Sequence, residues 1–200
     1  MRKVLVRRFG GPETLEVVET ETPSPGAGQV RVALRSIGMN HADLMARAGD
    51  YRLLSGKPPF TPGLEGGGTI DAVGPGVADR FVGQRVIAAA QAFRLREGET
   101  SLEGSYRSHA ILDVAETIPA PDGLADEQLG ALWLTYLTAW GCLVWKQEIR
   151  PGQFVAIPAA SSGVGIAAAQ IARRAGAVTI GLSTGEDKIA RLREMPESAY

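Results

Sequence analysis

Apolar residues recur at every second position through much of the first half of the chain, in short runs bounded by glycine and proline. Val4-Leu-Val6, Leu15-Glu-Val-Val18, Gln29-Val-Arg-Val-Ala-Leu-Arg-Ser-Ile37, Gly68-Thr-Ile-Asp-Ala-Val73, Arg85-Val-Ile-Ala88 and Ser105-Tyr-Arg-Ser-His-Ala-Ile-Leu112 have the spacing of strands. Turn signals such as Pro23-Ser-Pro-Gly26 and Gly74-Pro-Gly76 separate them. This pattern predicts a compact β-barrel over residues 1–121.

From Asp122 the pattern changes. Asp126 to about Glu148 reads as one long apolar helix that Asp122 or Asp126 can cap, and Pro151-Gly152 ends the segment. An apolar strand, Gln153-Phe-Val-Ala-Ile-Pro158, then runs into the small-residue turn Ala159-Ala-Ser-Ser-Gly-Val-Gly165. A helix, Ile166 to Gly176, and a second strand, Ala177-Val-Thr-Ile-Gly-Leu182, complete a β-α-β unit. Such a unit opens a dinucleotide fold, because small residues let the turn approach a pyrophosphate and the helix start favours its charge. Ser161, Ser162, Gly163, Val164 and Gly165 are the candidate contacts. Ala160 and Ser162 stand where the first two glycines of Gly-x-Gly-x-x-Gly would be, so a crossover without a ligand is the competing reading.

The tip of the second strand bears on the choice of cofactor. A site for NAD places an acidic residue there to hold the ribose 2′-hydroxyl. Here the residues are Ser183, Thr184 and Gly185, with Lys188 one helical turn on, and two hydroxyls and an ammonium suit the 2′-phosphate of NADPH. Glu186 and Asp187 put negative charge nearby, and Lys188 could equally be a solvated helix residue.

Composition narrows the classes further. Two hundred residues with 44% hydrophobic content can bury a substantial core, and a net charge of −1 offers no basic surface for nucleic acid. No apolar stretch has the length of a membrane span, and Met1 to Arg8 lacks a signal-peptide core, so a cytoplasmic protein with no membrane partner is expected. Cys142 is the one cysteine, which excludes an internal disulfide and a cysteine-based structural zinc site. Its surroundings read as packed helix and predict a buried, inert thiol. Trp133, Tyr136, Trp140 and Trp145 fall along the same helix and are expected to pack in the core, a ligand contact being the alternative.

Several stretches carry a more specific likeness. They are Phe9-Gly-Gly-Pro-Glu13, Gly38-Met-Asn-His-Ala-Asp43, Gly49-Asp-Tyr51, Pro62-Gly-Leu-Glu-Gly-Gly-Gly68, Val73-Gly-Pro-Gly76, Gly83-Gln-Arg-Val86, Gly104-Ser-Tyr106, Leu137-Thr-Ala-Trp140 and the turn ending at Gly165. In this order the chain resembles the medium-chain dehydrogenase/reductase superfamily, and its zinc-free quinone oxidoreductase and enoyl reductase branch most of all. The resemblance implies a mixed α+β and α/β architecture. A GroES-like β-barrel over residues 1–121 would precede an incomplete Rossmann-type nucleotide-binding domain over residues 122–200.

The resemblance also implies a division of labour among residues. Zinc alcohol dehydrogenases have cysteine, histidine and cysteine where this chain has Asn40, Leu64 and Leu134; Glu65 remains, but the donors left cannot hold zinc, so no metal is expected. The two histidines, His41 and His109, are expected to be hydrogen-bonded structural residues. Without a metal to stabilise an alkoxide, reduction of a quinone or an activated C=C bond is the feasible chemistry. Asn40 resembles the residue facing nicotinamide and substrate, Tyr51 the substrate-orienting group or proton donor of enoyl reductases, and Thr138 a cofactor-contacting threonine. For Tyr51 the alternative is a loop aromatic lining the cleft. Asp43 is read as structural.

The expected function is therefore NADPH-dependent, zinc-independent reduction of a small-molecule quinone or enoyl substrate by direct hydride transfer, with a homodimer possible in a complete form. Relatives have more strands than this chain supplies, and Pro196 interrupts the final helix pattern, so a truncated member is expected. A non-catalytic nucleotide-binding or structural relative is the alternative, and a zinc alcohol dehydrogenase the weaker one.

Overall fold

The computed structural model describes residues 1–89 and 91–194, so the expectation attached to Pro196 lies outside the described residues. The chain divides into two compact units between Trp133 and Leu134.

In the first unit, β1 (Arg2–Val6) and β2 (Leu15–Glu19) form an antiparallel hairpin. The main sheet has five antiparallel strands: β3 (Gln29–Ile37), β4 (Gly66–Val73), β5 (Arg85–Ala88), β6 (His109–Asp113) and β7 (Thr117–Pro119). They lie in the order β6-β3-β4-β5-β7, a half-barrel sheet. The alternation read in the sequence becomes its buried face. Val30 and Val32 of β3 lie opposite Leu112 and Ala110 of β6 and pack with Ile70, Val86 and Phe93 in one core. Register shifts after Arg31 and Leu34 bend β3, as bulges do.

The glycines preceding Thr69 have a packing reason. A Cβ on Gly67 would stand 2.5 Å from the Leu129 Cβ, and one on Gly68 only 2.1 Å from the Ala33 carbonyl oxygen. Bare backbone there lets β4 approach β3 and lets fully buried Leu129 sit on the sheet. Leu129 ends the short helix α3 (Asp126–Leu129); two helices precede it in the chain, α1 (His41–Ala48) and α2 (Arg52–Ser55). Those two helices hang on a smaller cluster of Val6, Ala46, Phe60 and Leu102, with Phe9 and Leu54 packed against it.

The second unit holds a parallel pair, β8 (Phe154–Ile157) and β9 (Val178–Gly181), joined by α5 (Gly163–Arg174) and followed by α6 (Glu186–Glu194). Ile157, Ala160, Ala169 and Leu192 form its core. Its first residues, from Leu134, belong to α4 (Trp133–Trp140), which continues as a π-helical segment, Gly141–Lys146. Among the described residues no helix is long and apolar enough to cross a membrane.

The region read as one long helix differs most from expectation. It is broken after Leu129, because the Gly130 N–H donates to the Ser36 hydroxyl at 2.8 Å and the glycine packs against the backbone of Ser36 and Ile37. Neither Asp122 nor Asp126 caps α3. Ala125 stands at the cap and donates its N–H to Gln128, while Asp126 pairs with Arg85 at 2.9 Å. Cys142 is exposed rather than buried, since its segment packs little of its surface. Trp140 and Trp145 are also exposed, against the expectation of core packing, and the Lys146 ammonium lies over the Trp145 ring.

Candidate functional site

In the first unit the site is built around the start of α1. Asn40 is its N-cap, and the Asn40 backbone N–H donates to the Asp43 carboxylate at 2.8 Å. The Asn40 side-chain amide donates from Nδ2 to Glu65 Oε1, also at 2.8 Å. Glu65 is 2% exposed, so this contact is made away from water. Asp43 is buried too, and accepts from the Tyr106 hydroxyl at 3.2 Å. Burial pushes the Asp43 carboxyl above its ordinary range, opposed by the hydrogen bonds from the Asn40 backbone and Tyr106. Burial, and then the Asp43 charge, push the Tyr106 phenol up as well. The phenol therefore stays protonated and remains a donor to Asp43.

Tyr51 lies where α1 gives way to α2. Gly49 makes the turn with φ +93°, and its missing Cβ leaves room for the Phe9 ring, which packs on the cluster beneath both helices. The Tyr51 ring is 42% exposed. Among the described residues its hydroxyl has no partner, so it is free to meet a ligand.

In the second unit the turn has the geometry an anionic group requires. Ser162 caps α5, its hydroxyl accepting from the Gly165 N–H at 3.1 Å. The Gly163 and Val164 N–H groups stand in the first turn, where no intrahelical acceptor exists. Gly165 is buried, and a Cβ there would lie 2.6 Å from the Ala159 oxygen and 2.7 Å from the Ala160 oxygen. That is the close helix-strand packing served by the last glycine of a dinucleotide fingerprint. The two departures from that fingerprint also have local roles. Ala160 is buried and ties the turn to β9 through its N–H to the Leu182 oxygen, and Ser162 supplies the cap.

Beyond β9, a cavity of about 300 Å³ is lined by Ser161, Ile166, Lys188, Arg191 and Leu192. Glu186 and Asp187 are not among its lining residues. Ser183 Oγ is buried without a hydrogen-bond partner, a state that in a native protein asks for an unseen ligand or water. Thr184 is exposed at the strand end, and Thr138, on α4, spends its hydroxyl proton on the Leu134 carbonyl at 2.7 Å.

Sequence reasoning singled out Asn40, Tyr51 and the turn; it did not single out Arg191, which lines the cavity with Lys188, or the pairings of Glu65 with Asn40 and of Tyr106 with Asp43. Arg191 carried a usable signal, since it stands three positions after Lys188 on one helix face. The partnerships Glu65 with Asn40 and Tyr106 with Asp43 join segments far apart in sequence and had no local signal. Of the histidines, His109 is bonded as expected, to Ser108 and to Asp71 at 3.4 Å, whereas His41 is exposed on α1.

Residues 26–122 match the alcohol dehydrogenase GroES-like domain. The chain belongs to the medium-chain dehydrogenase/reductase superfamily. Among members of this superfamily, the rat synaptic vesicle membrane protein VAT-1 homolog is 34% identical over 97% of this chain and 46% of its own. The crystal structure of an NAD-dependent alcohol dehydrogenase superposes with a TM-score of 0.87 at 36% identity, over 99% of this chain and 62% of that one. Escherichia coli quinone oxidoreductase complexed with NADPH gives 0.81 at 30% identity, over 94% and 54%. The chain thus spans about half the length of the curated relatives it matches. As in those superfamily structures, a GroES-like half-barrel sheet is followed by a Rossmann-type β-α-β unit.

Proposed function

We propose that the protein containing this chain is an NADPH-dependent, zinc-independent oxidoreductase that reduces quinones or α,β-unsaturated carbonyl compounds. The observation that carries the reading is the cavity beyond β9, lined by Lys188 and Arg191 together with Ser161; the unpartnered Ser183 hydroxyl follows the same strand. Two cations and free hydroxyls fit a 2′-phosphate, whereas a ribose diol would call for a carboxylate. The fold does not decide the matter by itself, because one similar structure is of an NAD-dependent protein and another is an NADPH complex.

The turn fits the rest of the cofactor: bare backbone at Gly163 and Gly165, a serine cap and the free N–H groups of the helix start would hold the pyrophosphate. A bound nicotinamide supplies hydride. Asn40 donates a hydrogen bond to the substrate carbonyl from the amide that Glu65 holds, stabilising the negative charge that grows on the oxygen. Tyr51 offers its free hydroxyl as substrate-orienting group or proton donor. Asn40, Leu64 and Leu134 at the zinc-ligand positions leave Glu65 as the single donor of that set, so the carbonyl is polarised by hydrogen bonds.

Fluorescence titration of the whole gene product tests this reading. NADPH should bind more tightly than NADH, and Lys188→Ala or Arg191→Ala should weaken NADPH by about 10-fold each while leaving NADH nearly unchanged. Equal affinity for the two nucleotides would remove the 2′-phosphate argument. Binding of NADPH with no turnover of any quinone or enoyl compound would favour a non-catalytic member of the superfamily.

A further inference from the structure

We propose that Glu65 is a positioning residue that fixes the orientation of the Asn40 amide. This rests on the reading of Asn40 as the donor to the substrate carbonyl. A buried carboxylate is costly to keep, and here it faces a group whose two ends look alike in shape but not in chemistry. The Asn40 amide can present either its NH₂ or its oxygen to Glu65 Oε1, 2.8 Å away. A carboxylate oxygen only accepts, so the NH₂ end is drawn in and the reversed amide, oxygen against oxygen, is rejected. Nitrogen Nδ2 carries two protons. One is held by Glu65, and the second leaves the same nitrogen in a direction set by the first.

Two neighbours keep both partners in place. Asp43 fixes the Asn40 main chain through its backbone N–H, so the side chain turns about a held Cα. Gly38 gives the Glu65 side chain its space: a Cβ there would stand 2.2 Å from Oε1, 2.5 Å from Cδ and 2.6 Å from Cγ. Without Glu65 the amide would sample both orientations and spend part of its time offering an acceptor to a carbonyl that needs a donor. Glu65 acts through Asn40 and does not itself meet the substrate.

The experiment has a kinetic arm and a spectroscopic arm. In the whole gene product, Glu65→Ala and Gly38→Ala should each lower kcat by about 10-fold for enoyl and quinone substrates, with KM for NADPH unchanged. Glu65→Gln, whose amide can pair with either end of the Asn40 amide, should recover only part of the rate. Asn40→Ala combined with Glu65→Ala should be no slower than Asn40→Ala alone, as for two residues acting as one unit. In the 200-residue chain, the Asn40 side-chain NH₂ signal, assigned by its loss in Asn40→Ala, should shift in Glu65→Ala, Gly38→Ala and Glu65→Gln, since none of the three keeps an acceptor-only oxygen against it. An unmoved NH₂ signal in Glu65→Ala, or rate losses that add in the double variant, would overturn the proposal. If NADPH binds but neither substrate class is reduced, the functional reading fails, and the NMR arm still decides whether Glu65 orients the amide.

Discussion

Tyr51 presents an unpartnered hydroxyl on an exposed ring at the junction of two short helices. Replacing it with phenylalanine removes the hydroxyl and keeps the ring. If the phenol delivers a proton, Tyr51→Phe should slow enoyl reduction by about 10²–10⁴-fold, with NADPH affinity and melting temperature unchanged. A few-fold loss would assign it to orientation alone. Asp43 makes a different prediction, through pH. Its folded-state value is raised, chiefly by burial, so the native protein binds this proton more tightly than the unfolded chain does. The contribution of Asp43 to stability is therefore best below the ordinary 3.8 and declines as pH rises through the raised value. Urea unfolding from about pH 4 to about pH 7 should show Asp43→Asn gaining on the parent chain as pH increases. A difference between the two that stays flat with pH would contradict the shift. Single residues were legible in the sequence where a local pattern framed them, as with Tyr51 after Gly49, or Ser162 and Gly165 in the turn. Glu65 was visible only as the remnant of a metal-ligand set, because its real partner, Asn40, stands on a distant segment.

At the scale of elements, strands were easier to read than helices, and the reason is physical. Alternation is a two-residue signal that one half-buried sheet imposes directly, so β3 and β5 occupy the predicted ranges Gln29–Ile37 and Arg85–Ala88. The three-residue β7 is too short to show alternation and escaped notice. The apolar run after Asp126 was read as one helix because its periodicity is continuous. What breaks it is tertiary: the Ser36 hydroxyl takes the Gly130 N–H, and Leu129 is drawn onto the bare backbone of Gly67. Gly130 was the available clue, since a glycine in a helical pattern weakens it. The same break leaves α3 on the sheet of the first unit, through Arg85 with Asp126 and Leu129 on β4. The β-α-β unit was legible as a whole, because strand, turn, helix and strand each carried its own signal and all four agreed.

At the scale of the whole molecule, the two units are unequally supported. The first has a nine-residue buried core with Val30, Val32, Ile70, Phe93 and Leu112, and a second cluster under its helices. The second has a two-stranded sheet and a buried cluster of four, while Phe154 is 73% exposed, Trp145 65% and Leu182 53%. Local stability follows buried apolar contact, so the units should not unfold together. Hydrogen exchange read by mass spectrometry on the 200-residue chain should show β3 and β4 protected well beyond β8 and β9. Increasing urea should open the segment from Leu134 onward first. Fluorescence of a Trp133→Phe variant gives an independent check, since the remaining tryptophans, Trp140 and Trp145, both lie in that segment: its change should come at lower urea than loss of the sheet signal in circular dichroism. Adding NADPH should bring the fluorescence transition closer to the other, because a ligand held by the Ser161–Gly165 turn and the Lys188 cavity stabilises only the folded second unit. Coincident transitions without nucleotide would mean that the chain folds as one cooperative body, and the unequal cores would then not govern its stability.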